Sequence, residues 1–187
     1  ALSSPQATKI TLSFEKELLG TGGAFCGLKE VGLNGPLIAA SSDVISDFPI
    51  KRLFDFHQEQ MATATMGLLP NPIEGEQSVF VQEDIICGFG YLNDLPQGCS
   101  AHAFSNYQVL SQDFIDKIVK KPASVLEYYK AAIASNERIC AFVYAPHFWF
   151  DLGTKERYYQ ALLSIQDKLA STPHASIDAL YACGLLT

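Results

Sequence analysis

Residues 36–69 read PLIAASSDVISDFPIKRLFDFHQEQMATATMGLL, and the change of rhythm inside this stretch decides the fold. Pro36–Ser42 is a nearly continuous run of small apolar residues, the composition of a strand buried on both faces of a parallel sheet. From Pro49 the pattern turns helical. Ile50, Leu53, Phe54 and His57 share one face, and proline suits a helix start. Ala62–Leu69 then reads as a second strand. Strand, helix and strand in this order make a βαβ crossover, and the chain is expected to be an α/β protein with a mostly parallel central sheet.

Working outward, residues 8–14 (TKITLSF) alternate polar and apolar and read as a strand. Glu15–Gly23 (EKELLGTGG) reads as a Gly-rich loop with a short helix beyond it. On the other side, Asn71–Gly75 is a turn, and Val79–Val81 with Ile85–Gly88 form a hairpin around Gln82, Glu83 and Asp84. Cys99–Leu110 reads as a strand. Ser111 caps a helix in which Phe114, Ile115, Ile118 and Val119 share a face. A second helix follows over 124–134, then strands at Arg138–Tyr144 and Phe148–Asp151. Thr154 caps a helix whose apolar face carries Tyr158, Ala161, Leu162, Ile165 and Leu169. Ala175–Ala182 reads as one further helical segment. No repeat, low-complexity tract or linker interrupts residues 1–187, so one domain is expected.

Composition narrows the function. The chain has 187 residues, 48% of them hydrophobic, and a formal net charge of -7. A chain of this size buries roughly 70% of its unfolded surface, enough for one core. An acidic chain without a basic face is a poor nucleic-acid partner. There is no apolar run of about 20 residues and no leader pattern at Ala1, so neither membrane insertion nor secretion is expected, and the cytoplasm is. The five cysteines, Cys26, Cys87, Cys99, Cys140 and Cys183, follow no metal or disulfide spacing and read as buried thiols. There is no G-x-S-x-G elbow, no H-E-x-x-H and no P-loop.

Three places could carry chemistry. Glycines 20, 22 and 23, with Thr21, could let backbone N–H groups approach an anion, although Gly-rich turns are common in proteins that bind nothing. Asp43 follows a strand, and ligands of open α/β sheets gather at carboxyl ends of strands; a carboxylate there can hold Mg²⁺ or simply close a loop. Asp151 again follows an apolar segment, in Phe148–Arg157 (FWFDLGTKER). It can join Asp43 at a cation or serve the helix N-terminus behind it. His57 sits inside a helical pattern and reads as packed.

Taken in order, ELLGTGGA, an apolar strand ending in Asp43, FxxHxxxxATAT, AFSNYQVLS (Ala103–Ser111) and FWFDLGTKERYxxA resemble the sugar-1-phosphate nucleotidyltransferases, in their compact uridylyl- or guanylyltransferase branch. The match runs from about residue 8 to residue 170. The resemblance implies a three-layer, Rossmann-like nucleotide-diphospho-sugar transferase fold. It also implies transfer of a nucleoside monophosphate from a nucleoside triphosphate to a sugar 1-phosphate, with release of pyrophosphate. Asp43 and Asp151 match the family's catalytic Mg²⁺ ligands. Gly20, Thr21, Gly22 and Gly23 match its nucleotide loop, with Glu15 beside it, and Asn106 and Tyr107 fall where the sugar is met.

Two departures accompany the resemblance. The family opens on a strand and a basic Gly-rich loop that grips the triphosphate, and nothing like it precedes Glu15. The family's first strands are therefore expected to be absent, leaving the C-terminal two-thirds of the domain. A separate N-terminal piece or a second copy is expected to cover the sheet edge this exposes. The family's middle Glu-Lys-Pro is also missing, with Gln82-Glu83-Asp84 in roughly that region. The first departure keeps a second function open: a non-catalytic nucleotide- or sugar-nucleotide-binding protein on the same fold.

Overall fold

A computed structural model describes residues 11–30, 35–119 and 122–171. Their elements are, in order, α1 (Gly20–Gly23), α2 (Phe25–Glu30), β1 (Leu37–Ala40), β2 (Val44–Ser46), α3 (Ile50–Glu59), β3 (Ala64–Leu69), β4 (Ser78–Gln82), β5 (Ile85–Gly90), β6 (Ser100–Leu110), α4 (Gln112–Lys117), α5 (Val125–Ala134), β7 (Ile139–Val143), β8 (Trp149–Asp151) and α6 (Lys155–Ser171). The 78–90 hairpin, the long strand ending at Leu110, and the crossover β1–α3–β3 are where the residue pattern puts them. So is the Ser111 cap, whose Oγ accepts from the Phe114 N–H at 3.2 Å. The expected segment 175–182 and residues 8–10 of the strand expected at 8–14 lie outside the described residues; the described part, 11–14, carries no strand.

Six strands form one sheet in the order β1-β6-β3-β7-β5-β4, with a further pairing of β6 to β4; β2 and β8 make a separate two-stranded ribbon. The expectation of a mostly parallel sheet is corrected at the level of pairing. Among the described residues only β3 and β7 are parallel neighbours, and the other pairings are antiparallel. The reason is β6. The β1–α3–β3 crossover leaves a gap one strand wide between two strands of the same direction. β6 enters it antiparallel to both, pairing Leu37 with Leu110 on one side and Ala64 with Leu110 on the other. Local periodicity reports that a segment is a strand, not which strand lies beside it.

The sheet is covered on both faces. Alternation along β3 sends Ala64, Met66 and Leu68 into a core with Phe114, Ile115 and Tyr129 from α4 and α5, while Thr65 faces α3 and bonds His57. The opposite face is a smaller core of Phe48, Leu53, Tyr107 and Val109. This is the three-layer arrangement. The faces are unequal at β1, which was expected to be buried on both sides. Its residues alternate between half-buried and exposed, and Ile38 is 42% exposed. Its one partner is β6, so among the described residues it stands as an edge strand.

Where β3 meets β6 the register slips, Met66 facing Gln108 but Leu68 facing Phe104. The slip is a bulge built on Asn106, whose φ of 69° is left-handed, a conformation asparagine tolerates better than most residues. Opposite it, Gly67 leaves room. A Cβ there would stand 2.7 Å from Ser105 Oγ and 2.9 Å from the Phe48 ring. Ser105 Oγ donates to the Gly67 carbonyl at 2.7 Å, tying the bulge shut.

Candidate active site

The ribbon of β2 and β8 hangs off the end of β1 and joins two segments a hundred positions apart. Val44 pairs with Asp151 and Ser46 with Trp149, and the Leu152 N–H donates to the Asp43 carbonyl at 2.7 Å. The two aspartates thus sit side by side. Gly153 opens the space between their carboxylates. A Cβ at this position would lie 3.0 Å from Asp151 Oδ1 and 3.6 Å from Asp43 Oδ2.

Asp151 is held on both oxygens. Its Oδ1 accepts from the Gly153 N–H at 2.7 Å, and its Oδ2 from Arg157 at 2.7 Å. Arg157 reaches on to Glu76 Oε1 at 2.5 Å. The hydrogen bond to Glu76 and the charges of Asp151 and Glu76 raise the guanidinium pKa further above its ordinary value. Arg157 is aimed by the start of α6, where Thr154 Oγ1 caps its N–H at 3.2 Å. Glu76, Arg157, Asp151, Trp149 and Gln160 line a depression of about 240 Å³.

Two contacts fix the ribbon. Trp149 Nε1 donates to the Ser105 carbonyl at 2.9 Å, linking β8 to the β6 bulge. Asp47, beyond β2, accepts from His147 Nδ1 at 2.7 Å and from the Phe148 N–H at 3.2 Å. Burial works against its charge, but these bonds outweigh it and hold the carboxyl below the usual range.

A second cavity of about 500 Å³ opens beside β1, lined by Thr21, Phe25, Ile38, Ser41, Asn106 and Gln108 among others. The Ser41 N–H donates to the Asn106 carbonyl at 3.2 Å, so the cavity ends two residues from Asp43.

The structure places the expected nucleotide residues unevenly. Gly20–Gly23 are not a loop but the helix α1. Their small size serves packing. A Cβ on Gly20 would stand 2.7 Å from the Ala123 carbonyl oxygen and one on Gly22 3.0 Å from it, and the Gly22 N–H is spent on that carbonyl at 2.9 Å. Gly22 and Gly23 are buried. Thr21 lines the cavity while its Oγ1 accepts from the Val125 N–H. Glu15 lies outside it, accepting from the Leu19 N–H at 2.9 Å. Asn106 lines the cavity, whereas Tyr107 points to the other face, 7% exposed and stacked on Phe48. Burial raises its hydroxyl pKa, although a bond to Ser46 works the other way. Arg157, Glu76, Gly153 and Trp149 had no role assigned from sequence. Trp149, Gly153 and Arg157 nevertheless lie inside the FWFDLGTKER stretch that marked Asp151, whereas Glu76 lies outside every motif.

No protein-family model matches the chain. Its sequence is similar to mannose-1-phosphate guanylyltransferase 1 of Arabidopsis thaliana, 28% identical over 178 residues covering 89% of this chain and 49% of that protein. It is also similar to the mannose-1-phosphate guanylyltransferase catalytic subunit beta of Drosophila pseudoobscura pseudoobscura, 24% identical over 78% of this chain and 39% of that one. The chain therefore spans about half the length of the curated relatives it matches. In fold it is similar to HddC from Yersinia pseudotuberculosis complexed with GMP-PN, with a TM-score of 0.64 and 18% identity over 81% of this chain and 64% of that one. A UDP-glucose pyrophosphorylase complexed with UDP-glucose matches equally, with a TM-score of 0.64 and 18% identity over 82% and 64%. The fold is that of the nucleotide-diphospho-sugar transferases, a Rossmann-like α/β sandwich. By sequence, the chain is similar to proteins named mannose-1-phosphate guanylyltransferase.

Proposed function

We propose that this chain carries the metal-binding part of a sugar-1-phosphate nucleotidyltransferase, which moves a nucleoside monophosphate from a nucleoside triphosphate to a sugar 1-phosphate. The observation that carries the reading is the meeting of Asp43 and Asp151 over Gly153. In that reaction an oxygen of the sugar phosphate attacks the α-phosphorus in line, and the bond to pyrophosphate breaks. Such transfer depends on positioning and charge compensation more than on a covalent enzyme intermediate.

Asp43 and Asp151 would hold Mg²⁺. The donor set suits it: two carboxylates, oxygen only, with the other positions left to water and phosphate, as Mg²⁺ prefers. Among the described residues no third His, Cys, Asp or Glu joins them. When bound, Mg²⁺ supplies compensation for charge on the phosphate oxygens. The chain's own residues orient the rest. Gly153 N–H and Arg157 fix the Asp151 carboxylate, Trp149 fixes the ribbon, and Thr21, Asn106 and Gln108 offer polar groups to a nucleotide in the cavity.

The curated relatives are named for guanylyl transfer to mannose 1-phosphate, so GTP with mannose 1-phosphate is the first pair to test. We further propose a cytoplasmic protein, as expected from the sequence. No helix among the described residues is long and apolar enough to cross a membrane. The open edge of β1 is proposed to be covered in the working protein by a further segment or a second copy.

A thermal-shift titration with Mg²⁺ and each of GTP, UTP, dTTP, CTP and ATP tests the reading. Stabilisation by one nucleotide, lost in Asp43→Ala, is expected. Stabilisation that survives in Asp43→Ala and is independent of Mg²⁺ would favour the non-catalytic binding protein. No shift with any nucleotide would remove the nucleotide site from this chain.

A further inference from the structure

Two cysteines that no functional reading has used lie together at the far side of the sheet. Cys87 is the extra residue of β5 where its register against β4 slips, since Phe80 faces Gly88 and Val81 faces Ile86. Cys99 stands one residue before β6. Their Sγ atoms are 2.9 Å apart, about 0.9 Å beyond a bonded sulfur pair. Neither is fully buried, and Cys99 lies between the exposed residues Gly98 and Ser100. Between the two runs the 88–98 connection, with exposed Tyr91, Leu92 and Leu95.

We propose that Cys87 and Cys99 form a reversible disulfide site, closed by a small-molecule disulfide such as oxidised glutathione, which staples the ends of the 88–98 connection. The order of events follows from access. Cys99, beside the exposed residues, attacks the glutathione disulfide first, forming a mixed disulfide on Cys99 and releasing one reduced glutathione. Burial, and then the hydrogen bond with Cys99, push the Cys87 thiol up to about 11, which makes it slow toward a disulfide in solution, so it acts second, on the mixed disulfide held beside it. Its sulfur displaces glutathione from Cys99, and its proton goes to the leaving thiolate. Both thiols are oxidised and one glutathione disulfide is reduced to two thiols. Reduced glutathione or a dithiol reverses the reaction. Placement on a bulge matters, because a bulge residue is unpaired in the ladder and its sulfur can close the remaining gap without breaking strand pairing.

The test uses the whole chain, equilibrated over a series of reduced-to-oxidised glutathione ratios, trapped with N-ethylmaleimide and digested without reductant for mass spectrometry. The expected result is one cross-linked peptide pair joining Cys87 to Cys99, with both thiols lost together and the chain still monomeric on a non-reducing gel. In Cys99→Ser, Cys87 should keep its thiol at the ratio that closes the natural chain. The proposal is overturned if both cysteines remain maleimide-reactive at the most oxidising ratio. It is equally overturned if each carries a separate glutathione, if Cys99 joins some other cysteine, or if Cys87 is modified to the same extent in Cys99→Ser.

Discussion

Asp151 has a cation on one oxygen before any metal arrives. Arg157 is 45% exposed and Asp151 22%, so their pair is screened by solvent and contributes little to stability. Asp151→Ala should therefore shift the urea midpoint only slightly, while removing Mg²⁺-dependent stabilisation by nucleotide. A large stability loss would instead make Asp151 a structural residue. Arg157 competes for the oxygen a divalent cation would use. Arg157→Gln should tighten Mn²⁺ binding, followed by electron paramagnetic resonance, by up to about fivefold. Weaker binding would mean that Arg157 positions Asp151 rather than competing for it. Of these residues the two aspartates were legible in sequence, because each follows an apolar segment. Glu76 was not, because its role exists only through Arg157, 81 positions away.

At the scale of elements, the β3–β6 bulge is the joint between cavity and ribbon. Gly67→Ala would push a methyl against Ser105 Oγ and the Phe48 ring, and overpacking of this kind costs about 1–3 kcal/mol. Denaturant unfolding checks it, and a change under ~0.5 kcal/mol would show that the joint yields easily. The contact of α3 with β3 carries a pH signature. His57 is 4% exposed, its Nδ1 lies 2.9 Å from Thr65 Oγ1, and burial lowers its pKa below the usual 6.5. The unfolded chain then binds the proton more readily than the folded one. The stabilising contribution is complete above about 6.5 and is lost as pH falls toward the folded-state value. The natural chain should lose more melting temperature than His57→Gln between pH 7 and pH 5. Equal losses would show that His57 takes no part.

For the whole molecule, the open question is β1. An edge strand with an apolar sequence and no charged side chain invites pairing, and its Ile38 is partly exposed. Light scattering over a concentration series should show self-association of this chain that Ile38→Lys reduces, with the Mg²⁺ site unchanged. A concentration-independent monomer in the natural chain would show that the edge needs no partner. The same edge bears on the proposed activity, because β1 forms one wall of the cavity proposed to take the nucleotide.

Sequence alone determined where most strands and helices fall, because side-chain periodicity acts within a few residues; residues 11–14, read as strand, and Gly20–Gly23, read as loop, are exceptions. The 78–90 hairpin, the Ser111 cap and α3 with Leu53 and His57 inward all follow from it. It also marked Asp43 and Asp151, each by its place at a strand end. What only the tertiary structure decided was neighbourhood. β6 is inserted between β1 and β3, so most pairings become antiparallel. Gly20–Gly23 pack as a helix against Ala123 instead of opening toward an anion. Tyr107 turns into the core while Asn106, one residue before it, faces the cavity. Arg157 closes on Asp151, and Cys87 meets Cys99. Each of these depends on which distant backbone lies within a few ångströms, and that is set by how the layers stack rather than by any local pattern.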